Sequence, residues 1–154
     1  MRLQVYRYKC GSCGEWYEGL ELGDFAYGEF LMRSSSGEIR FLEAINDPVF
    51  QEVSEILEKT PRLSACDESR RAEVLHAVFG VACDPDSKGI LFHVGASPHC
   101  TSCGQLDVSE WEGTDPPRFV EVDVTNASHE HWATLSDIEK ESLVQEALDA
   151  MPLV

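Results

Sequence analysis

Two short cysteine motifs, far apart in the chain, restrict its possible folds more than any other feature of the sequence. Each has the form C-x-x-C-G, the first from Cys10 to Gly14 and the second from Cys100 to Gly104. A tight turn of this length lets both sulfurs converge on one point. The glycine that follows accepts positive φ, so backbone N–H groups can point at the sulfurs. Each motif follows a strand-like run and precedes an extended segment, which predicts two strand–turn–strand units.

The four cysteines of these motifs are the candidate metal ligands, and we call them the cysteine quartet: Cys10, Cys13, Cys100 and Cys103. Four thiolates match the tetrahedral coordination of Zn²⁺, in which each Zn–S bond is about 2.3 Å long. The motifs resemble the knuckles of zinc ribbons and rubredoxin-like sites, and the resemblance extends to the flanking strands only. It implies one structural zinc ion per chain.

The spacing between the motifs departs from that resemblance. Between Cys13 and Cys100 lie 86 residues, whereas the two pairs of a compact ribbon are about 15–20 residues apart. The intervening sequence must therefore form an insertion that folds against the ribbon unit. A metal that bridges such distant segments removes much loop entropy from the unfolded chain, so the arrangement is physically reasonable.

Other uses of the cysteines have less support in the sequence. A redox C-x-x-C motif lies at a helix N-terminus, where the helix dipole lowers a thiol pKa, and neither motif begins an amphipathic helix. Rubredoxin-type iron would use the same four sulfurs. A catalytic zinc keeps an open coordination position, which four thiolates would close. Cys66 and Cys83 have no partner spacing and are predicted to be small buried apolar residues.

The remaining pattern predicts an α+β fold in one domain over residues 1–154, with a zinc-knuckle β unit from both halves of the chain, inserted helices and a C-terminal helix. The predicted extended segments are Leu3 to Cys10, a return from Trp16, Phe25 to Met32, Ile39 to Leu42, Gly89 to Val94, Gln105 to Trp111 and Phe119 to Val124. The predicted helices run from Pro48 to before Pro61, over about Glu68–Cys83 and over about Asp137–Met151. Asp47 can cap the first helix, and Ser136 with Glu139 forms a capping box for the last.

The net charge of −16 restricts the possible partners. Nucleic acids and anionic membranes are disfavoured, because binding to both depends on basic residues. Basic proteins are favoured, although charge can also serve solubility alone. The N-terminal segment lacks the apolar stretch of a secretory signal, and no run approaches the roughly 20 apolar residues of a membrane span. We therefore expect a cytoplasmic protein.

The charge is concentrated in residues 89–154, which carry 12 acidic and 2 basic side chains. Aromatic residues lie among these acids, a pattern typical of protein-binding surfaces, although Trp111 could instead be a core residue. The predicted partner-binding residues are Trp111, Glu110, Glu112 and Asp115.

Together these features predict a non-enzymatic, zinc-stabilised acidic protein that binds a basic protein, as an immunity or antitoxin protein does. One alternative is a zinc-dependent enzyme or metal-handling protein that uses His129 and His131. Another is a nucleic-acid-associated zinc ribbon, which the charge disfavours.

Overall fold

The structure, a computed structural model, describes residues 1–23 and 27–151 and contains two antiparallel sheets and three helices. The strands are β1 (Arg2–Cys10), β2 (Trp16–Leu22), β3 (Glu29–Arg33), β4 (Ile39–Glu43), β5 (His93–Val94), β6 (Val108–Gly113) and β7 (Phe119–Glu121). The helices are α1 (Pro48–Glu58), α2 (Glu68–Val78) and α3 (Asp137–Ala150). This is the predicted α+β class, with the C-terminal helix present.

The first sheet brings the two cysteine motifs together. β1 is its central strand and pairs with β2 along one edge. Along its other edge β1 pairs with β6 over residues 6–10 and with β7 over residues 2–4. The first motif begins at Cys10, the last residue of β1, and the second motif precedes β6. The prediction that both halves of the chain contribute to one β unit is therefore confirmed.

The second sheet and the helices form the larger core. This sheet has the order β4-β3-β5. Helix α2 packs against β5, and the three helices pack against one another through their buried apolar residues. The largest fully buried side chains of this core are Trp132, Phe79, Phe92, Met32, Leu42, Leu148, Val53, Val74, Val78 and Val144. Residues of the long insertion between the cysteine motifs thus supply most of this core, and Trp132, Val144 and Leu148, which follow the second motif, complete it.

The predicted helix starts are confirmed by their caps. The Asp47 side chain accepts hydrogen bonds from the N–H groups of Val49 and Phe50, at 2.9 and 3.3 Å. Pro48 occupies the first turn of α1, where an N–H is not required. Ser136 and Glu139 form both hydrogen bonds of the capping box at the start of α3. Within residues 1–23 and 27–151, no helix combines the length and apolar character needed to cross a bilayer.

The second helix is shorter than predicted. It ends at Val78, and residues 79–82 form a tighter 3-10 turn rather than continuing to Cys83. Gly80 lies so close to the chain near β5 that a Cβ atom there would be 2.0 Å from the Phe92 carbonyl oxygen. The close backbone approach, which only glycine permits, accompanies this change in the helix.

Some predicted strands are also shorter. Over 89–94 only His93–Val94 is a strand, because the Asp86 carboxylate accepts hydrogen bonds from the Lys88 and Ile90 N–H groups and holds this segment in a turn. The strand predicted to end at Val124 ends at Glu121. The strand predicted from Phe25 to Met32 is observed from Glu29 to Arg33; Phe25 lies outside the described residues.

Candidate metal centre

The first cysteine motif forms a knuckle at the end of β1, whose last residue is Cys10. The Gly14 N–H donates to the Cys10 carbonyl at 2.9 Å, and the Cys10 N–H donates to the Glu15 carbonyl at 2.9 Å. Together these two hydrogen bonds join the start of the turn at Cys10 to its end at Gly14 and Glu15. Gly14 has φ = +77°, a conformation that costs other residues energy. The predicted role of the glycine is therefore confirmed.

The second motif repeats this geometry almost atom for atom. The Gly104 N–H donates to the Cys100 carbonyl at 2.9 Å, and the Cys100 N–H donates to the Gln105 carbonyl at 3.0 Å. Gly104 has φ = +75°. The two knuckles therefore have equivalent backbone frames, as their shared motif predicts.

The four sulfurs of the cysteine quartet converge on one point. The Sγ atoms of Cys10 and Cys103 are 3.6 Å apart, and those of Cys13 and Cys100 are 3.7 Å apart. All four Sγ atoms lie within 4.8 Å of one another. A tetrahedron with metal–sulfur bonds of about 2.3 Å has edges of about 3.8 Å. The spacing therefore fits a single tetrahedral ion, and it is far too long for disulfide bonds, which measure about 2.05 Å.

Backbone N–H dipoles favour the thiolate form of the two buried cysteines of the quartet, Cys10 and Cys100. The N–H groups of Cys103 and Ser102 lower the pKa of Cys100 to about 6, against the effect of burial. Equivalent backbone bonds lower the pKa of Cys10. At Cys13 and Cys103 backbone N–H groups also lower the pKa, but burial and hydrogen bonds within the quartet outweigh them and raise it, to about 12 for Cys13. A divalent cation would supply the charge that lets all four sulfurs ionise.

The quartet has a buried side and an open side. Cys10 and Cys100 are 0% and 3% exposed, whereas the other two cysteines are exposed. The rings of Tyr8 and Tyr17 pack in one cluster with these two buried cysteines and stack on each other, with centroids 5.6 Å apart. The Tyr17 hydroxyl donates to the Pro98 carbonyl at 2.8 Å, just before the second knuckle. This small core was not predicted, although the alternation of tyrosines in β1 was a signal for it.

A buried arginine connects the first sheet to the second sheet. Arg33 of β3 is 6% exposed and donates to the carbonyl oxygens of Ala96 (2.7 Å) and Leu20, and to the Glu21 carboxylate at 3.1 Å. Glu21 also accepts from the Tyr8 hydroxyl at 2.5 Å. Burial and this hydrogen bond raise the pKa of Tyr8, so the phenol remains a donor. Nothing in the sequence distinguished Arg33 from the exposed arginines.

The structure does not assemble a second metal site around His129 and His131. His129 Nδ1 lies 2.6 Å from the Ala82 carbonyl oxygen, and Nε2 lies 2.7 Å from an oxygen of Asp47. Both ring nitrogens are therefore engaged, and neither has a lone pair directed at an ion. The His131 side chain is exposed. Across residues 1–23 and 27–151, the cysteine quartet is the one group of three or more metal-ligating side chains within reach of a common ion.

The remaining cysteines behave differently from the quartet. Cys83 is buried in the larger core, and burial raises the pKa of its thiol to about 12. Cys66 is half-buried at the edge of the same core. The prediction of a buried apolar role is confirmed for Cys83 and partly met by Cys66.

The predicted partner-binding residues lie on the surface. Trp111 is 66% exposed, and Glu110, Glu112 and Asp115 are exposed as well. The alternative that Trp111 is a core residue is therefore wrong.

The acidity of this surface is lower than the count over residues 89–154 predicts. Arg7 of β1 forms an ion pair with Glu112 at 2.8 Å. Lys9 lies opposite Glu110 in the strand register. Both bases come from the other end of the chain, which a count along the sequence cannot take into account.

The geometry of the cysteine quartet is thus compatible with a zinc site. Comparison of the chain with models of known protein families, with curated proteins and with solved structures gave no match.

Proposed function

We propose that this chain is a non-enzymatic protein, stabilised by one structural zinc ion, that binds a basic protein partner. The observation that supports the metal is the convergence of four sulfurs with edges of 3.6 and 3.7 Å. Four thiolates fill a tetrahedral zinc site and leave no position for a substrate or an activated water. The role of the ion is therefore to hold two distant segments of the chain together.

The partner-binding part of the proposal is supported by one exposed aromatic side chain with acids beside it. Trp111 is 66% exposed on a strand, and aromatic anchors of this kind dominate binding energy in protein interfaces. The net charge of −16 favours a basic partner over long range. A neutraliser of a basic protein, in the manner of an immunity or antitoxin protein, is the specific form of this function that we propose.

Capture of a partner by matched variants tests this function. Zinc-loaded chain should retain a basic protein at low salt and release it at high salt, because salt screens exposed charges. The Trp111→Ala variant and the Glu110→Lys/Glu112→Lys variant of the chain should fail to capture this partner. It should stay with Glu141→Lys/Glu146→Lys, which makes the same charge change on exposed residues of α3. Equal capture by all four proteins would refute the proposed surface.

A further inference from the structure

Strand β6 lies at an open edge of the first sheet. Within the part of the chain that the structure describes, its one strand neighbour is β1, because β7 pairs with β1 further along. Five of its six residues are exposed. An exposed edge strand presents a row of N–H and C=O groups to which another extended chain can pair.

On one face of the sheet, acidic and basic side chains alternate from strand to strand, and the last side chain of each row, on β6, is acidic. The register places Glu18 of β2 beside Arg7 of β1, and Arg7 beside Glu112 of β6. In the neighbouring row, Lys9 of β1 lies beside Glu110 of β6. A strand added outside β6 would continue both rows with least repulsion if it carried basic side chains there.

On the opposite face, an aromatic row also ends at β6. Tyr17, Tyr8 and Trp111 occupy successive strands in one row of the register. The Tyr6 ring contacts Trp111 edge to face, with centroids 5.7 Å apart. Trp111 keeps most of its surface exposed, so the position outside it suits an apolar or aromatic side chain.

We propose that the basic partner binds by strand addition: an extended segment with the alternation base–apolar–base pairs with the open edge of β6. Its bases lie beside Glu110 and Glu112, and its apolar side chain covers Trp111. This inference rests on the proposed function and specifies how the partner is held. A second copy of the chain is a poor occupant, because antiparallel pairing of two β6 strands about Trp111 sets Glu110 against Glu112.

Synthetic peptides test this mode on the full zinc-loaded chain. The probe is a blocked peptide of alternating lysine and valine, measured by calorimetry at low salt. Two further peptides carry N-methyl groups on every lysine or on every valine. Alternate N–H groups of a strand point to opposite sides, so only one of these two sets can face β6. We expect one methylated peptide to lose about tenfold or more in affinity while the other binds like the parent.

The outcomes separate this inference from the proposed function. If the parent and both methylated peptides bind equally, strand addition is wrong, while loss of binding with Glu110→Lys/Glu112→Lys would still support acidic docking. No binding of the parent peptide also overturns strand addition, and the proposed function is then decided by partner capture. Glu141→Lys/Glu146→Lys controls for net charge, and amide hydrogen exchange must show protection of β6 when the parent peptide is bound.

Discussion

Replacing one cysteine of the quartet should destabilise the zinc-loaded protein far more than replacing its neighbour in the same turn. Cys103→Ser is the best choice, because Cys103 is exposed and its truncation leaves no cavity in a core. Ser102→Ala is the matched control, since only the backbone N–H of Ser102 contacts the quartet. Any large difference between these two variants therefore reports coordination rather than packing.

The expected magnitude follows from linkage between metal binding and folding. An ion that binds only the folded chain, present at about 1,000 times its dissociation constant, adds about 4 kcal/mol to the free energy of unfolding. Exposed substitutions away from special features usually change it by less than about 0.5 kcal/mol. Cys103→Ser should therefore lower the free energy of unfolding by about 4 kcal/mol at that zinc concentration, and Ser102→Ala should leave it almost unchanged.

Urea unfolding in buffered free zinc, repeated with a strong chelator, measures the free energy of unfolding of each protein with and without the ion. With chelator, the wild-type chain should fall to the stability of Cys103→Ser, so that the difference between them disappears. Amide hydrogen exchange should locate the loss in β1, β2 and β6, because the buried residues of the small cluster there are only Tyr8, Tyr17 and the quartet members Cys10 and Cys100. If Cys103→Ser matches Ser102→Ala in buffered zinc, the quartet does not hold a stabilising ion.

Four further substitutions test other parts of the structure. Trp111→Ala should change the free energy of unfolding by less than about 0.5 kcal/mol, because the side chain is largely exposed; a large loss in thermal unfolding would show that it is a core residue. His129→Ala should cost about 2 kcal/mol in urea unfolding, since both ring nitrogens are hydrogen-bonded in a partly buried site, whereas His131→Ala should have little effect. Neither histidine variant should change the metal content. Gly80→Ala should cost about 3 kcal/mol or more by the same assay, because its Cβ would lie 2.0 Å from the Phe92 carbonyl oxygen; a stability close to wild type would contradict the close approach.

The geometry of each cysteine knuckle could be predicted from the sequence because it is local. In each knuckle, the turn depends on two cysteines and a following glycine with φ near +75°, all within five consecutive residues. The convergence of the two knuckles is not a local feature, since it requires β1 and β6 to be neighbours. The helix caps at Asp47 and Ser136 were predictable for the same reason, because their hydrogen bonds span three residues or fewer.

Long-range contacts account for what the sequence did not predict. The end of α2 coincides with a close approach of the Phe92 backbone to Gly80. The burial of Arg33 depends on acceptors in β2 and in the segment before the second knuckle. The charge beside Trp111 depends on Arg7, more than 100 residues away in the chain. None of these pairings leaves a local pattern in the sequence.

Measurement of the metal content tests the central claim most directly. Chain purified gently, without added metal or chelator, should contain about one zinc ion per molecule by elemental analysis. Native mass spectrometry should show a folded species heavier than the bare chain by one zinc ion less the protons that the thiols release on binding. A chain that holds iron in place of zinc, or that is folded and stable with no metal at all, would contradict the account.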